Sequence, residues 1–183
     1  MDKTLQGLLR LAEEGNMEQR SASLLVLGAM KAQGDQVVKS AGLALDQENP
    51  LLRDYALRYF EEVRPKTGIP LLLPLLGDGD KEIRERAIRL LSDYGTTAVS
   101  PLLKYSRKGS GLCQLGTAQI LCGVGGKTAW KGLFDILERG DLEINKAISN
   151  WGTAALRELG EKEKTDLYGD FQKFAESLDE KTQ

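Results

Sequence analysis

The residues that first suggest chemistry are GVGGKT, Gly123 to Thr128. A glycine-rich turn ending in Lys-Thr is how a phosphate-binding loop finishes, and such a loop would make this chain an ATPase or GTPase. The full pattern also needs a glycine five residues before its last one and a strand upstream. That position holds Leu121, and the segment LGTAQILCGV reads as a helix with small residues. GVGGKT is therefore read as a turn between helices. Gly125 or Gly126 takes the left-handed conformation that ends one helix, and Thr128 caps the next.

Other reactive groups are scarce. The chain contains no histidine, which removes the commonest general base and the commonest metal ligand. Cys113 and Cys122 lack CxxC spacing. On one helix they would lie roughly 13 Å apart, beyond the reach of a disulfide. They are expected to be buried free thiols. No nucleophile–base pair, metal cluster or cofactor loop emerges, so no catalytic, cofactor-binding or metal-binding residue is assigned, and the protein is read as a non-enzyme. Trp130 begins the spacing Trp130, Leu133, Phe134, Leu137, while Trp151 falls with Ile144, Ile148 and Ala155. Both spacings read as core stripes rather than ligand platforms. KYSRKGSG, Lys104 to Gly111, is the one basic stretch with an aromatic, and reads as a solvated inter-helix loop.

Composition narrows the class. Of 183 residues, 41% are hydrophobic and 28% charged, which supplies a core and is not a disordered composition. The net charge of −2 disfavours a general nucleic-acid binder. The start, MDKTLQGLLRLAEEG, carries an early acid and no long apolar core, unlike a signal peptide. No run approaches the length of a membrane-spanning helix. The expectation is a cytoplasmic protein without membrane contact.

The chain repeats itself. NPLLRDYALRYFEEV, from Asn49, aligns with DKEIRERAIRLLSDY, from Asp80, at an offset of 31 residues. Leu52 meets Ile83, Arg53 meets Arg84, Ala56 meets Ala87 and Phe60 meets Leu91. In the same register, IPLL at Ile69 meets SPLL at Ser100. One further step takes Ala87 to Ala118 and Gly95 to Gly126. A period of this size is the mark of stacked helical repeats.

Punctuation places the helices. Gly15-Asn16 and Gly34-Asp35 each end one helix and cap another. Asn49-Pro50 is a cap followed by proline at the first helical position. Thr67 to Pro70 opens a short leucine-rich helix. In Gly77-Asp78-Gly79-Asp80, the last aspartate caps a helix from Lys81. Gly95-Thr96-Thr97 precedes a helix from Ala98 to Lys108, and Gly140-Asp141 and Gly160 bound another. From Lys81 on, Ile83, Ala87, Leu90, Leu91 and Tyr94 share one face, with Glu82, Glu85, Arg86, Arg89 and Asp93 opposite. Burying such a row of aliphatic side chains stabilises by roughly 6–12 kcal/mol before chain entropy is subtracted. Ala56, Ala87 and Ala118 mark close helix approaches.

A leucine-rich first helix with an early proline, an aspartate turn, then an aliphatic-Arg-x-x-Ala second helix resembles the HEAT repeat. The short period is similar to the bacterial HEAT-like repeats of phycobilisome lyases. The signature is clearest in Pro70, Leu72, Leu75, Asp78, Ile83, Arg84, Ala87, Leu90 and Gly95. The preceding repeat keeps Asp46, Leu52, Arg53 and Ala56 but starts with Val37-Val38. In the following one Leu115 replaces the arginine. The resemblance spans roughly residues 17–160 and is strongest over 45–107.

The resemblance implies an all-α fold, a right-handed α-α superhelix of the HEAT-like or armadillo-type solenoid class, with about four to five helical pairs. The array would occupy residues 1–160. Residues 161–183, with seven acids against four lysines, would form an amphipathic helix through Leu167, Phe171, Phe174 and Leu178, capping the array or docking a partner. By the same resemblance, Asp78 with Arg84 and Asp46 with Arg53 are candidates for a structural ladder. The second helix of each pair would line a concave face, whose polar residues Arg58, Glu62, Arg86, Arg89 and Asp93 are the candidates for binding a protein or peptide partner. Two alternatives from the same resemblance are a lyase or chaperone-like protein for a tetrapyrrole or similar ligand, and a nucleic-acid binder like the HEAT-like DNA glycosylases.

Overall fold

In the computed structural model, the described residues are 2–139 together with 145, 146, 148, 157 and 169. They are all-α and built of repeated helical pairs, the fold class expected of the sequence. The chain divides after Pro101 into two compact units.

The first unit begins with α1 (Lys3–Glu14) and α2 (Met17–Ala29). The second pair is α3 (Asp35–Leu45) and α4 (Pro50–Val63). The third pairs a broken segment with α6 (Lys81–Asp93). In that segment, 3-10 turns at Lys66–Gly68 and Leu73–Gly77 flank the four residues of α5 (Ile69–Leu72). Pro70 and Pro74 explain the break, because each removes a backbone donor that a continuous helix would use. α7 (Thr96–Ser106) crosses the division between the units. The second unit continues with α8 (Gly111–Val124) and α9 (Gly126–Arg139), which pack together.

The caps are local decisions of the sequence. Asn16 accepts from the Gln19 amide at 2.9 Å, and the Gln19 side chain accepts from the Asn16 amide at 2.9 Å, a complete capping box. Asn49 accepts from Leu51 and Leu52, with Pro50 at the first turn. Asp80 accepts from the Glu82 amide at 2.8 Å. Each contact satisfies a donor that the first turn leaves without an intrahelical partner. Asp35 departs from expectation: it lies inside the first turn of α3, and Gly34 makes no side-chain cap.

Left-handed residues follow α2, α4, α6 and α8 at regular intervals. They are Lys31 and Arg64, each with φ 51°, then Gly95 and the Gly125-Gly126 pair. GVGGKT thus contains the turn between α8 and α9, as expected, with Gly125 at the junction. Gly125 has φ 68° and Gly126 φ 85°. The cap expected of Thr128 is not made, because α9 already starts at Gly126. KYSRKGSG is an inter-helix loop only over Arg107 to Ser110. Lys104 to Ser106 complete α7, and Ser110 caps α8 by accepting from the Cys113 amide at 3.5 Å. α7 itself starts two residues before the expected Ala98, directly at the Gly95 turn.

In the first unit, α1 packs on α3, and α3 on the segment after α4. On the other side, α2 packs on α4, and α4 on α6. This gives a layer of first helices and a layer of second helices. Leu24, Leu27, Leu52, Leu57, Phe60, Leu72, Leu76, Leu90 and Leu91 fill the space between. Ala56 and Ala87 are wholly buried, as their place in the repeat predicts. Tyr59 and Tyr94 tie successive pairs together. Each donates its hydroxyl to a carbonyl in the turn after the preceding second helix, Tyr59 to Ala32 at 2.9 Å and Tyr94 to Pro65 at 3.0 Å.

In the second unit, Ala118, Ile120, Leu121, Leu133 and Ile136 are buried, while Trp130, Phe134 and Leu137 are half-buried. Ile148 is buried. Trp151, Ile144, Ala155, the expected boundaries at Gly140-Asp141 and Gly160, and the C-terminal helix in 161–183 lie outside the described residues.

Candidate interaction surface

The arginine–aspartate ladder implied by the family resemblance is present with different partners. Arg53, at the start of α4, pairs with Asp78 of the next repeat rather than with Asp46. Both side chains are largely shielded from water. Asp78 also accepts from the Asp80 amide at 2.9 Å. Arg84 reaches the backbone of the turn, donating to the Asp78 carbonyl at 2.6 Å and the Gly79 carbonyl at 3.1 Å. The ladder thus joins neighbouring repeats and braces a turn. These arginines are structural in their contacts.

The second helices α2, α4 and α6 present their outer sides along one face. An open groove of about 450 Å³ runs there, lined by Leu25, Asp54, Arg58, Glu61, Glu62, Glu82 and Arg86. Arg58, Glu62 and Arg86 were expected on a binding face from the family resemblance, and all three line this groove. Arg89 and Asp93 are exposed farther along α6 and do not line it. The 3.6-residue period accounts for the convergence. Asp54, Arg58, Glu61 and Glu62 recur at three- and four-residue steps and so share one side of α4.

Arg86 organises the floor. Its side chain is 12% exposed. It donates through Nη1 to Asp54 at 2.5 Å, and through Nε and Nη2 to the two carboxylate oxygens of Glu61 at 2.9 and 3.0 Å. Burial opposes its charge, but its hydrogen bonds to Glu61 and Asp54 outweigh that opposition, so its pKa is raised. Such a two-pronged pair is geometrically demanding and strong. Asp54 also accepts from Arg58 Nε at 2.9 Å, and the Arg58 guanidinium lies 5.6 Å from the centre of the Tyr55 ring. Both arginines of the lining are therefore already engaged.

Glu62 belongs to a different contact. Lys31 donates to its carboxylate at 2.5 Å and to its backbone carbonyl at 2.6 Å. The lysine hydrogen bond, with its charge, holds the Glu62 carboxyl below its ordinary pKa. Asp93 makes the corresponding ion pair with Arg64, at 2.8 Å. Arg89 and Glu82 form no ion pair with any described residue. Sequence reasoning did not single out Leu25, Asp54, Glu61 or Glu82 as site residues. Leu25 carried a signal, since α2 is apolar on two sides where one would suffice for its core contacts.

The buried thiols do not supply a reactive group. Cys113 and Cys122 are free and buried. Burial pushes the Cys122 thiol up to about 12 and also raises Cys113, against a lowering hydrogen bond with Thr117. Both are protonated near neutral pH, whereas the thiolate is the nucleophile. Among the described residues, no cluster of metal-ligating side chains is present. No helix there is long and apolar enough to cross a membrane.

Residues 38–112 match the family model described as HEAT repeats. That span runs from α3 to the start of α8 and contains α4 and α6 of the groove. No curated protein matches the chain. HEAT repeats generally mediate protein–protein interaction, and their all-α fold is typically non-catalytic.

Proposed function

Since this chain belongs to the HEAT-repeat proteins, we propose that it is a non-catalytic interaction scaffold, binding a protein or peptide on the face formed by α2, α4 and α6. One observation carries the reading. An open groove collects side chains from three successive second helices, with the exposed Leu25 at one edge and charged groups along the rest. Such a surface combines an apolar contact with polar specificity, as interfaces do. The lining holds four carboxylates and two guanidiniums, both of which are already paired. This works against a nucleic-acid backbone, whose phosphates need uncommitted lysine and arginine.

The test is a pull-down from lysate of the native host, comparing the wild-type protein with a Leu25→Lys/Glu82→Lys variant of matched helicity. Arg86 is left in place because its removal would strand Asp54 and Glu61 beside each other. A protein retained by the wild type and lost by the variant supports the reading. Identical proteins retained by both would remove this face as the binding surface.

A further inference from the structure

The outer side of α2 is apolar in a way its own packing does not require. Ala22, Leu25, Val26, Ala29 and Met30 are all exposed, although Leu24, Leu27 and Gly28 already bury the opposite side. Leu25 is 51% exposed, Val26 41% and Met30 50%. At about 100° per residue these five positions fall within an arc of roughly 140°. A contiguous apolar strip of this kind on a folded surface marks an interaction site.

What lies beside the strip identifies its occupant. Leu25 is shared between the strip and the groove. The carboxylates of the groove outnumber its cations, and the two arginines are held by Asp54 and Glu61. Glu82 is exposed and ion-paired with no described residue. The Lys31–Glu62 and Arg58–Asp54 pairs are both partly exposed and such pairs are weak, so the balance is set by number, four carboxylates against two guanidiniums and Lys31. The uncompensated charge beside the apolar strip is therefore negative.

Resting on the scaffold reading above, we propose that the groove takes a basic amphipathic segment of a partner protein. Its apolar side chains cover Leu25 and Val26, and a lysine or arginine pairs with Glu82. An amphipathic helix laid into a groove supplies these two contacts together, with anchors spaced three and four residues apart. An acidic segment would set its charges against Glu82 with no free guanidinium in the lining to receive them. Opposite charge here selects the partner and its orientation more than it adds affinity.

The experiment uses the full chain and two labelled synthetic helical peptides, each about 16 residues and so ~24 Å long. They share the same leucine stripe and carry either lysines or glutamates on the polar side. Fluorescence anisotropy should show the lysine peptide binding at least roughly tenfold more tightly than the glutamate peptide. Glu82→Lys should reverse that order, and Leu25→Gln should abolish binding of both. Both sites are exposed, and unchanged thermal midpoints establish that the variants fold.

Equal, Leu25-dependent binding of the two peptides would overturn the basic class of partner while leaving the face as a binding surface. Binding of the lysine peptide that ignores Leu25→Gln, or no binding of either peptide, would overturn the proposal. So would wild-type self-association that Leu25→Gln removes, since a second copy would then cover the strip. Failure of the scaffold reading has its own sign: native partners retained equally by the face variant.

Discussion

Lys31, the left-handed residue just beyond α2, reaches the end of α4 and donates to both the carboxylate and the backbone carbonyl of Glu62. Arg64, left-handed beyond α4, makes the corresponding ion pair with Asp93 at the end of α6. A cation at a helix C-terminus meets the negative end of the helix dipole and a carbonyl without an intrahelical donor. The two basic residues therefore stitch each second helix to the next. They do so from a backbone conformation that disfavours any residue with a Cβ.

This conflict can be separated by substitution. Arg64→Ala and Arg64→Gly both remove the ion pair with Asp93, but only glycine relieves the left-handed backbone. The glycine variant should be more stable than the alanine variant by ~1 kcal/mol in denaturant unfolding. Equal stabilities would mean that the backbone at position 64 relaxes once the side chain is gone.

Arg86→Ala should destabilise the protein by about 1–3 kcal/mol, less than for a fully buried pair because Asp54 and Glu61 are partly exposed. A double-mutant cycle with Glu61→Gln checks the origin. Strong coupling is expected, because the two side chains share two hydrogen bonds. Additive effects would assign the loss to packing of the arginine stem.

Tyr59 and Tyr94 predict alkaline sensitivity. Burial raises both phenols from 10.0 to about 12. The folded pKa exceeds the unfolded one, so the stability from each is full below pH 10 and falls as pH rises toward 12. Over that window the slope for Tyr59, which is almost wholly buried, is about 1.4 kcal/mol per pH unit. Tyr59→Phe should lower stability at pH 8 by ~1 kcal/mol through loss of the bond to Ala32, yet flatten the decline above pH 10. Chemical denaturation at several pH values measures both effects.

Ala87→Leu should cost ~1–3 kcal/mol, because α6 has no room for a larger side chain at a fully buried position. An unchanged thermal midpoint would contradict the close approach inferred from the repeat.

Titration with ATP–Mg or GTP–Mg should give no saturable binding. Gly125 and Gly126 of GVGGKT are used to turn the chain from α8 into α9. Micromolar binding lost in Lys127→Ala would show that this turn cradles phosphate after all.

Much of this architecture was legible in the sequence because it is decided within a few residues. The caps at Asn16, Asn49 and Asp80 answer unsatisfied amides two or three positions away. The burial of Ile83, Ala87, Leu90 and Leu91 follows from a helical period. Gly95 and Gly126 turn the chain at matching points of the repeat. The short first helix of the third pair was less legible, since Pro70 and Pro74 divide it into single turns of two kinds.

The sequence by itself determined the helical pairs, their register and the apolar sides that bury. What only the tertiary structure decided is which charge meets which. Arg53 pairs with Asp78, Arg86 with Glu61 and Asp54, and Lys31 with Glu62, across separations of 25 to 32 residues. Periodicity says which side of a helix a charge occupies, and the family resemblance added the expectation that Arg58, Glu62, Arg86, Arg89 and Asp93 share one face. It says nothing of the rotation and offset between stacked repeats. Those follow from packing of the apolar layer, and they set the few ångströms that make Arg86 a structural clasp while leaving Leu25 and Glu82 exposed.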